Sequence, residues 1–325
     1  MKAIVITAPG DPNVLELKEV PDPAPRDGYA IVRVRATALN RADLLQRRGF
    51  YPPPKGETDI LGLECAGEVE SVQGGAGTLR PGDRVMALLP GGGYAERVAI
   101  PEKMAIPIPE KMTFEEAAAI PEAFLTAREA LFTLGRTQAD DTVLIHAAAG
   151  GVGSAAVQLA KQAGARVVAT AGSDEKVEFV KKLGANTVVN YRTEDFAETV
   201  KSSTKGKGAD VILDFVGASY WPKHATCLAV GGRCVVIGLL GGANADVNLG
   251  QLLQRRYQIL GLVMRSRDVS DKVAITQRFI RESLPLVADG TFRPIIDSVL
   301  PLAEAAKAHE RMEANLNTGK IVLKV

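Results

Sequence analysis

Cysteine is scarce in this sequence, and no two cysteines have the spacing of a structural metal site. Cys65, Cys227 and Cys234 are the only three in 325 residues, and none belongs to a Cys-x-x-Cys pair. This excludes a disulfide framework and a four-cysteine zinc site. The chain also lacks an uninterrupted run of 18 apolar residues, and the apolar run in its opening MKAIVITAPG is too short for the core of a signal peptide. We therefore expect a soluble, cytoplasmic protein.

A surplus of one charge sign is also missing. The chain carries 39 Lys and Arg against 38 Asp and Glu, and aromatic residues make up 5% of it. Proteins that bind nucleic acids or anionic membrane surfaces need a positive surplus, so neither partner is expected. The hydrophobic content of 46% and the length predict a folded chain of two domains.

The chain has two textures. Up to about residue 120 it reads as short strands separated by turns rich in Pro and Gly, with one short helix in LNRADLLQRRG. Apolar strands and amphipathic helices then alternate, and the strands are TVLIHAA, RVVATA, NTVVNY, ADVILDFV, GRCVVIGL and QILGLVM. Such strands predict a parallel sheet covered on both faces, in the doubly wound nucleotide-binding architecture.

The last 60 residues break this rhythm. We predict one long helix over DKVAITQRFIRESLPLVADG, then a strand, a helix and a final strand GKIVLKV. These elements are expected to fold back on the first domain. The predicted divisions are therefore 1–121, 122–262 and 263–325, with the first and last forming one domain.

A glycine-rich turn marks the predicted dinucleotide site. Ala147-Ala148-Ala149-Gly150-Gly151-Val152-Gly153 lies where the first of these strands ends and a helix begins. Glycines there allow a positive φ and a close approach of backbone N–H groups to a pyrophosphate, and Gly153 lets the helix pack closely on the strand. Ala148 stands where the usual motif has its first glycine. We expect Ala148 and Gly150 to Gly153 to hold the pyrophosphate; the alternative is a glycine-rich turn that binds nothing.

The end of the second strand points to NADPH. An NAD site has an acid about 20 residues beyond the glycine motif, whereas here the strand ends Thr170-Ala171-Gly172-Ser173. Lys176 can neutralise a 2′-phosphate and Ser173 can donate a hydrogen bond to it. Asp174 and Glu175 are unfavourable neighbours for a phosphate, unless they serve the helix N-terminus and face water.

Several motifs carry a family resemblance that spans nearly the whole chain. They are ALNRADLLQRRGFYPPP, ILGLECAGEVE, MALLPGGGYAE, AAAIPEAFLTA, the glycine turn and MEANLNTGKIVL. The sequence resembles the medium-chain dehydrogenase/reductase superfamily, within it the zinc-independent, zeta-crystallin-like quinone oxidoreductases, and most closely the branch whose mammalian member is induced by a tumour suppressor. The resemblance implies a Rossmann domain inserted in a GroES-like, partly open β-barrel domain, with NADPH bound in the cleft. It also implies dimers, or tetramers, formed through the Rossmann sheets.

The resemblance further implies site residues. Asn40 and Tyr51 would line the nicotinamide and substrate side, and Thr126 would lie near the nicotinamide. Tyr191 would join Ser173 and Lys176 around the 2′-phosphate, although the tyrosine can equally be an aromatic that packs at a strand end. The remaining cofactor contacts would come from Leu239, Leu240, Leu262, Val263 and Asn317.

No metal is expected. Zinc-dependent relatives carry a catalytic Cys, His and second Cys, but the first ligand region here is Asn40-Arg41-Ala42-Asp43, and GLEC (62–65) lacks the histidine. His146, His224 and His309 have no ligand spacing with each other, and we interpret all three as structural.

Without zinc, an electron-poor acceptor such as a quinone or an α,β-unsaturated carbonyl is the favoured substrate, because it accepts hydride with little assistance. Asn40 and Tyr51 are the expected hydrogen-bond donors to the developing oxyanion, and Tyr51 is either a proton source or a wall that stacks on the substrate. Glu64 is interpreted as a structural acid rather than a relay. Arg265 and Arg267 are expected to be solvated or paired with Asp268 and Asp271, the alternative being an anion site.

Three functions remain open at this point. The first is an NADPH-dependent reductase of small quinones, acting as a homodimer. The second is an enone or enoyl-thioester reductase, for which Arg41, Arg47 and Arg48 could form the basic groove that a coenzyme A ester needs. The third is a cofactor-binding protein with little catalysis.

Overall fold

The computed structural model describes residues 1–75 and 77–325 and divides the chain into two compact units. The first unit consists of Met1–Leu125 and Met264–Val325, and the second of Thr126–Val263. Across the described residues, no helix is both long enough and apolar enough to cross a bilayer.

The N-terminal part of the first unit is built mainly from strands. Its strands are β1 Lys2–Ile6, β2 Leu15–Glu19, β3 Tyr29–Ala38, β4 Glu64–Gln73, β5 Arg84–Leu88, β6 Arg97–Pro101 and β7 Ile106–Pro107. Its helices are α1 Arg41–Arg47 and α2 Phe114–Ala118. A third helix, α3 Pro121–Arg128, begins in this unit and ends in the second, where a π-helical turn, Glu129–Leu134, follows it.

Strands and helices alternate in the second unit. In chain order they are β8 Thr142–Ile145, α4 Gly151–Gln162, β9 Arg166–Ala171, α5 Asp174–Leu183, β10 Thr187–Asn190, α6 Phe196–Ser203, β11 Ala209–Asp214, α7 Trp221–Cys227, β12 Leu228–Val236, α8 Leu249–Arg255 and β13 Gln258–Gly261. All four residues of β8 are buried, as expected for a strand with helices on both faces.

The six strands of this unit form one parallel sheet in the order β10-β9-β8-β11-β12-β13. This is the doubly wound order in which the chain reverses direction beside the first strand, and ligands of such folds bind at the carboxyl ends of the strands next to that point. The predicted doubly wound sheet is therefore confirmed. The apolar core on one face includes Val168, Phe196 and Ile212.

The C-terminal segment returns to the first unit. It contains α9 Val269–Glu282, α10 Leu284–Ala288, β14 Ile296–Pro301, α11 Ala305–Glu313 and β15 Lys320–Lys324. The prediction of one uninterrupted helix over 271–290 was wrong, because the helix ends at Glu282 and a second one begins after Ser283. Pro285 explains the break, since its ring lacks an N–H and clashes with the preceding turn of a continuous helix.

One sheet of the first unit combines both ends of the chain. Its order is β14-β15-β3-β4-β5-β7, with β6 also paired to β3, and β15 runs antiparallel to β3 with Val322 opposite Ala38. A core that includes Leu39, Leu61 and Ile321 joins the N-terminal strands to α11. The predicted fold class, a Rossmann sheet inserted in a GroES-like domain, is confirmed.

Candidate active site

The glycine-rich turn joins β8 to α4, and its geometry differs in one respect from the prediction. The residue with left-handed backbone is Ala147, with φ 47°, whereas Gly150 has φ −82° and neither Gly151 nor Gly153 has a positive φ. The expectation that a glycine supplies the positive φ was therefore wrong. Lack of space for a side chain is instead the reason for Gly153.

Gly153 shows this lack of space directly. A Cβ at this position would lie 2.3 Å from the carbonyl oxygen of Ala147 and 2.7 Å from Cα of Ala148. Real Cβ atoms do not approach other atoms so closely, so any side chain would push α4 away from the end of β8. The absence of a side chain keeps the helix N-terminus against the strand end, as predicted.

This helix terminus has the chemistry that a diphosphate needs. The first-turn amides of an α-helix have no acceptor inside the helix, and the helix dipole makes that end positive. Thr126, in the same unit, is buried, and its hydroxyl oxygen has no hydrogen-bond partner. A dinucleotide that reaches both places would supply acceptors for the turn and a partner for this hydroxyl, so the residues fit the expected cofactor.

The structure brings Ser173 and Tyr191 to the end of β9. Ser173 caps α5, with its hydroxyl oxygen accepting the N–H of Lys176 at 3.3 Å. The Tyr191 hydroxyl lies only 2.4 Å from where a Cβ of Gly172 would be, so the phenol covers this glycine. Family likeness alone suggested Tyr191, and its contact with Gly172 now places it beside the predicted ribose pocket.

Asp174 is held by a specific hydrogen bond. Its carboxylate accepts a hydrogen bond from the side-chain amide of Asn190, at the end of β10, at 2.7 Å. The carboxylate thus has a protein partner, which removes part of its repulsion of a phosphate. No sequence signal linked these two residues, because strand neighbours become close only in the folded sheet.

An open apolar pocket lies at the carboxyl ends of β12 and β13. Its volume is about 360 Å³, and it is lined by Val236, Ile237, Gly238, Leu239, Gly261, Leu262 and Val263. Three of the predicted cofactor contacts, Leu239, Leu262 and Val263, are among these residues. Leu240 is exposed and is not part of the lining.

Asn40 belongs to the first unit, where a buried lysine and glutamate hold it. Lys320 donates from Nζ to Asn40 Oδ1 at 2.6 Å, to the Leu39 carbonyl at 2.7 Å and to Glu64 Oε1 at 2.6 Å. Asn40 donates from Nδ2 to Glu64 Oε1 at 3.0 Å and to the Ala38 carbonyl at 3.3 Å. Both amide hydrogens of Asn40 therefore have acceptors, and donation to a substrate would require one of these bonds to be given up.

Glu64 is completely buried and acts as an anchor, in agreement with its interpretation as a structural acid. Its second carboxylate oxygen accepts the backbone N–H of Glu122 at 2.8 Å. Glu64 thereby joins β4, β15 and the start of α3. Glu64 belongs to the family motif GLEC. Its partner Lys320 lies more than 250 residues away in the sequence, so no local pattern links the two.

Sequence reasoning missed Glu122. Burial, together with the nearby charge of Glu64, raises the pKa of its carboxyl to about 8. At neutral pH this side chain is mainly a protonated acid and can donate a proton. Its position in the first turn of a helix, after the Pro of IPEAFLTA, also suits an ordinary helix-start acid, so no sequence pattern indicates its protonation.

Arg265 holds Tyr51 in place. The surroundings of Arg265 differ from those that the sequence predicted. Arg265 is buried and donates to the Tyr51 carbonyl at 3.0 Å, to the Pro90 carbonyl at 2.7 Å and to Gln46 Oε1 at 2.8 Å. Its guanidinium also lies 5.2 Å from the centre of the Tyr51 ring. The expectation that Arg265 is solvated or paired with Asp268 and Asp271 was wrong, because its hydrogen-bond partners are two backbone carbonyls of distant loops and the Gln46 side chain.

Arg47 was also misassigned as part of a basic groove. It is fully buried, donates to the Gly10 carbonyl at 2.9 Å and pairs with Glu313. Arg48 pairs with the same carboxylate at 2.7 Å. Arg47 is thus not displayed for a coenzyme A phosphate, whereas Arg48 is exposed and has a carboxylate partner.

Two of the three histidines, His146 and His224, lie together in the fold although they are far apart in the sequence. His146 and His224 lie in contact, with their Nε2 atoms 2.8 Å apart, and His146 Nδ1 is 3.0 Å from the Thr170 hydroxyl. Asp214 and Cys234 flank His224, at 3.7 and 3.9 Å from its Nδ1. Burial raises the pKa of Cys234 well above its usual value, so its side chain is a protonated thiol within this cluster. We interpret these five residues as a polar cluster in the core.

Asn317, the last predicted contact, lies in the first unit, where its side-chain amide donates to the Gly319 carbonyl at 2.8 Å. The predicted residues thus divide between the units. The first unit holds Asn40, Tyr51 and Asn317, while the second holds Thr126, the glycine turn, the ribose-side residues and the apolar pocket.

Comparison with known proteins agrees with this arrangement. The family model for the alcohol dehydrogenase GroES-like domain matches residues 26–110, and the zinc-binding dehydrogenase model matches residues 151–278. A quinone oxidoreductase of Pseudomonas aeruginosa is 36% identical over 325 residues, which cover 99% of both chains. The chain therefore belongs to the medium-chain dehydrogenase/reductase superfamily and, within it, to the quinone oxidoreductase family.

Two solved structures are informative. Mycobacterial Rv1454c complexed with NADPH has a TM-score of 0.90 and 29% identity, with full coverage of both chains. The CurK enoyl reductase has a TM-score of 0.88 and 30% identity, covering 99% of this chain and 98% of that one. The chain also matches a Mycobacterium tuberculosis phenolphthiocerol/phthiocerol polyketide synthase subunit and spans only 14% of its length.

Proposed function

We propose that this protein is an NADPH-dependent, zinc-independent quinone oxidoreductase that passes reducing equivalents to small quinones. The observation that carries the proposal is the full-length similarity to quinone oxidoreductases, combined with a glycine turn that presents a helix N-terminus. The NADPH complex of a relative with the same fold supports the choice of cofactor.

The ribose pocket supports NADPH over NADH. Ser173 and Tyr191 lie at the end of β9, and Asp174 is engaged by Asn190. We propose that Ser173, Lys176 and Tyr191 surround the 2′-phosphate. Ala148 and Gly150 to Gly153 would hold the diphosphate, and Thr126, Leu239, Leu240, Leu262, Val263 and Asn317 would complete the contacts.

When bound, the reduced nicotinamide supplies the hydride. The chain's own part is to bind and orient the acceptor, exclude water and provide a proton for the reduced oxygen. Because the Asn40 amide hydrogens already have acceptors, we assign the hydrogen bond to the oxyanion to the Tyr51 hydroxyl. Arg265 holds the backbone of Tyr51, and Asn40 forms a fixed wall of the site.

No metal takes part in this proposal. The place of the first zinc ligand is taken by Asn40, which is bonded to Lys320 and Glu64. The ammonium group of Lys320 thus binds the Asn40 and Glu64 side chains in this region.

Reduction of a C=C bond is the second candidate, and the similarity to the CurK enoyl reductase favours it. Turnover of 9,10-phenanthrenequinone and of crotonyl-CoA with NADPH separates the two. We expect the quinone to be reduced with a kcat/KM at least tenfold higher. Preferential reduction of crotonyl-CoA would assign the enoyl reductase activity instead, and no NADPH oxidation with a panel of quinones and enones would leave a binding protein without catalysis.

We also propose a homodimer formed through the edge strand of the Rossmann sheet. β13 is the last strand of its sheet, and Ile259 on it is 41% exposed. Leu249 and Leu253, one helical turn apart on α8, are 71% and 79% exposed. An exposed apolar edge of this kind is a liability unless a partner covers it.

The predicted domain boundaries, 121/122 and 262/263, and a cytoplasmic location remain proposals. The location is supported by the three cysteines, which are all free and buried, as is usual for proteins of a reducing compartment.

A further inference from the structure

A chain of buried polar side chains connects the C-terminal helix α11 to the start of α1. His309, Arg47, Tyr94 and Asp43 are all fully buried, and the proposed function uses none of them. Their contacts are Arg47 Nη1 to His309 Nδ1 at 3.1 Å, His309 Nε2 to the Tyr94 hydroxyl at 3.3 Å, and the Tyr94 hydroxyl to Asp43 Oδ2 at 3.4 Å.

The positions of the hydrogens in this series of side-chain hydrogen bonds can be assigned by starting from Arg47. An arginine side chain has only donors, so His309 Nδ1 must accept from Arg47 and carries no hydrogen. Burial, with the neighbouring charge of Arg47, lowers the pKa of His309 to about 3, so the ring is neutral. Its single hydrogen is therefore on Nε2 and is donated to the Tyr94 hydroxyl oxygen.

This leaves the Tyr94 hydrogen for Asp43. The phenolic oxygen accepts from His309 and donates its own hydrogen to Asp43 Oδ2. Asp43 also accepts the Asn40 N–H at 2.8 Å and the Gly62 N–H at 3.2 Å. Every hydrogen bond in the chain thus points towards the carboxylate, which in turn fixes the backbone of Asn40.

We propose that His309 and Tyr94 are positioning residues: through Asp43, which accepts the Asn40 N–H, they hold the Asn40 turn in place for cofactor and substrate. This inference rests on the proposed function, because it takes Asn40 as part of the site. His309 acts through Tyr94 and Asp43 and touches none of the reacting atoms.

The pKa of Asp43 is close to neutral pH. Burial raises its pKa to about 6, against the lowering effects of the Asn40 and Gly62 amides and of Lys320. Glu64, on β4, raises the pKa further, while Tyr94 supplies the hydroxyl donor. The loss of one hydrogen-bond donor would therefore raise the pKa of Asp43 into the neutral range.

Tyr94→Phe is the sharpest test, since it deletes only the bridging oxygen. Tyr29→Phe is the matched control, because Tyr29 lies in β3 of the same unit. We expect Tyr94→Phe to bind NADPH within about twofold of the unaltered protein at pH 8 and about fivefold more weakly at pH 6, because raising the pKa of Asp43 by one unit from about 6 lowers its ionised fraction at pH 6 by about that factor. Tyr29→Phe should match the unaltered protein at both pH values.

Equal weakening by Tyr94→Phe at both pH values would indicate general damage, and unchanged binding at both would show that the chain does not act on the site. Either result overturns the inference. If the unaltered protein binds no NADPH at either pH, the proposed function fails.

The tautomer gives a readout that needs neither cofactor nor turnover. In ¹⁵N NMR spectra of the unaltered protein, we expect His309 to be the neutral Nε2–H tautomer from pH 8 down to pH 5. A ring that carries its hydrogen on Nδ1, or that becomes charged in this range, would contradict the proposed direction of the chain.

Discussion

Glu122 shows how one side chain can change role through its surroundings. Its pKa, raised from 4.5 to about 8, means that the folded protein keeps the proton to higher pH than the unfolded chain does. Stability from this group is therefore fully present below about pH 4.5 and is lost as the pH rises through 8.

Glu122→Gln should remove this dependence. Between pH 6.5 and 8 we expect the unaltered protein to lose up to about 1 kcal/mol of unfolding free energy per pH unit relative to the variant. Urea unfolding at several pH values measures the difference. Parallel stability curves for the two proteins would show that Glu122 is ionised throughout.

The Lys320–Glu64 pair is the second prediction at this scale. Both side chains are buried, at 2.6 Å, so removal of one leaves a charge without its counter-ion. We expect Lys320→Met to cost about 3–5 kcal/mol of stability, and Lys320→Met with Glu64→Gln to cost clearly less. Denaturant unfolding of Lys320→Met, Glu64→Gln and the double variant tests this, and a double variant whose loss of stability equals the sum of the two single losses would contradict the coupling.

At the scale of elements, the turn between β8 and α4 depends on Gly153. Gly153→Ala would place its Cβ 2.3 Å from a carbonyl oxygen, whereas at Gly150 the nearest atom to a Cβ is 3.3 Å away. We expect Gly153→Ala to destabilise the protein by about 2 kcal/mol or more and Gly150→Ala by less than about 1 kcal/mol. Thermal unfolding compares them, and equal effects would mean that the packing of α4 does not depend on Gly153.

Elements with a strong local pattern were predictable, and those set by distant partners were not. The strand Arg166–Ala171 and the helix Asp174–Leu183 follow the sequence pattern closely, because apolar periodicity and a terminal glycine define them. The apolar pattern continues on both sides of Pro285, so periodicity alone predicts one helix where the proline ends it. Arg265 was misplaced because its carbonyl partners belong to loops that no sequence pattern links to it.

The whole molecule consists of two units. For them too, features with a local sequence pattern were predictable, and features that depend on distant partners were not. The alternation of strands and helices was sufficient to predict the Rossmann sheet, and the family motifs supplied the inserted topology. The buried polar groups around Asn40 could not be predicted, because Asp43, Tyr94 and His309 are spread over more than 260 residues and meet only in the fold.

The proposed dimer gives a prediction at this scale. Ile259→Lys would put a charge on the exposed edge of β13, a common way for natural sheets to prevent edge pairing. We expect light scattering to show a dimer for the unaltered protein and a monomer, with the same thermal stability, for the variant. A monomeric unaltered protein, or a variant that remains dimeric, would exclude this edge as the interface.

The most direct test of the central claim is calorimetric titration of the purified protein with NADPH and with NADH. The claim is that the glycine turn at α4 receives the diphosphate and that Ser173, Lys176 and Tyr191 receive the 2′-phosphate. We predict that NADPH binds at least about tenfold more tightly than NADH, and that Lys176→Ala removes most of this difference while leaving NADH binding unchanged. Equal affinities for the two cofactors, an unchanged preference in Lys176→Ala, or no heat of binding with either would contradict it.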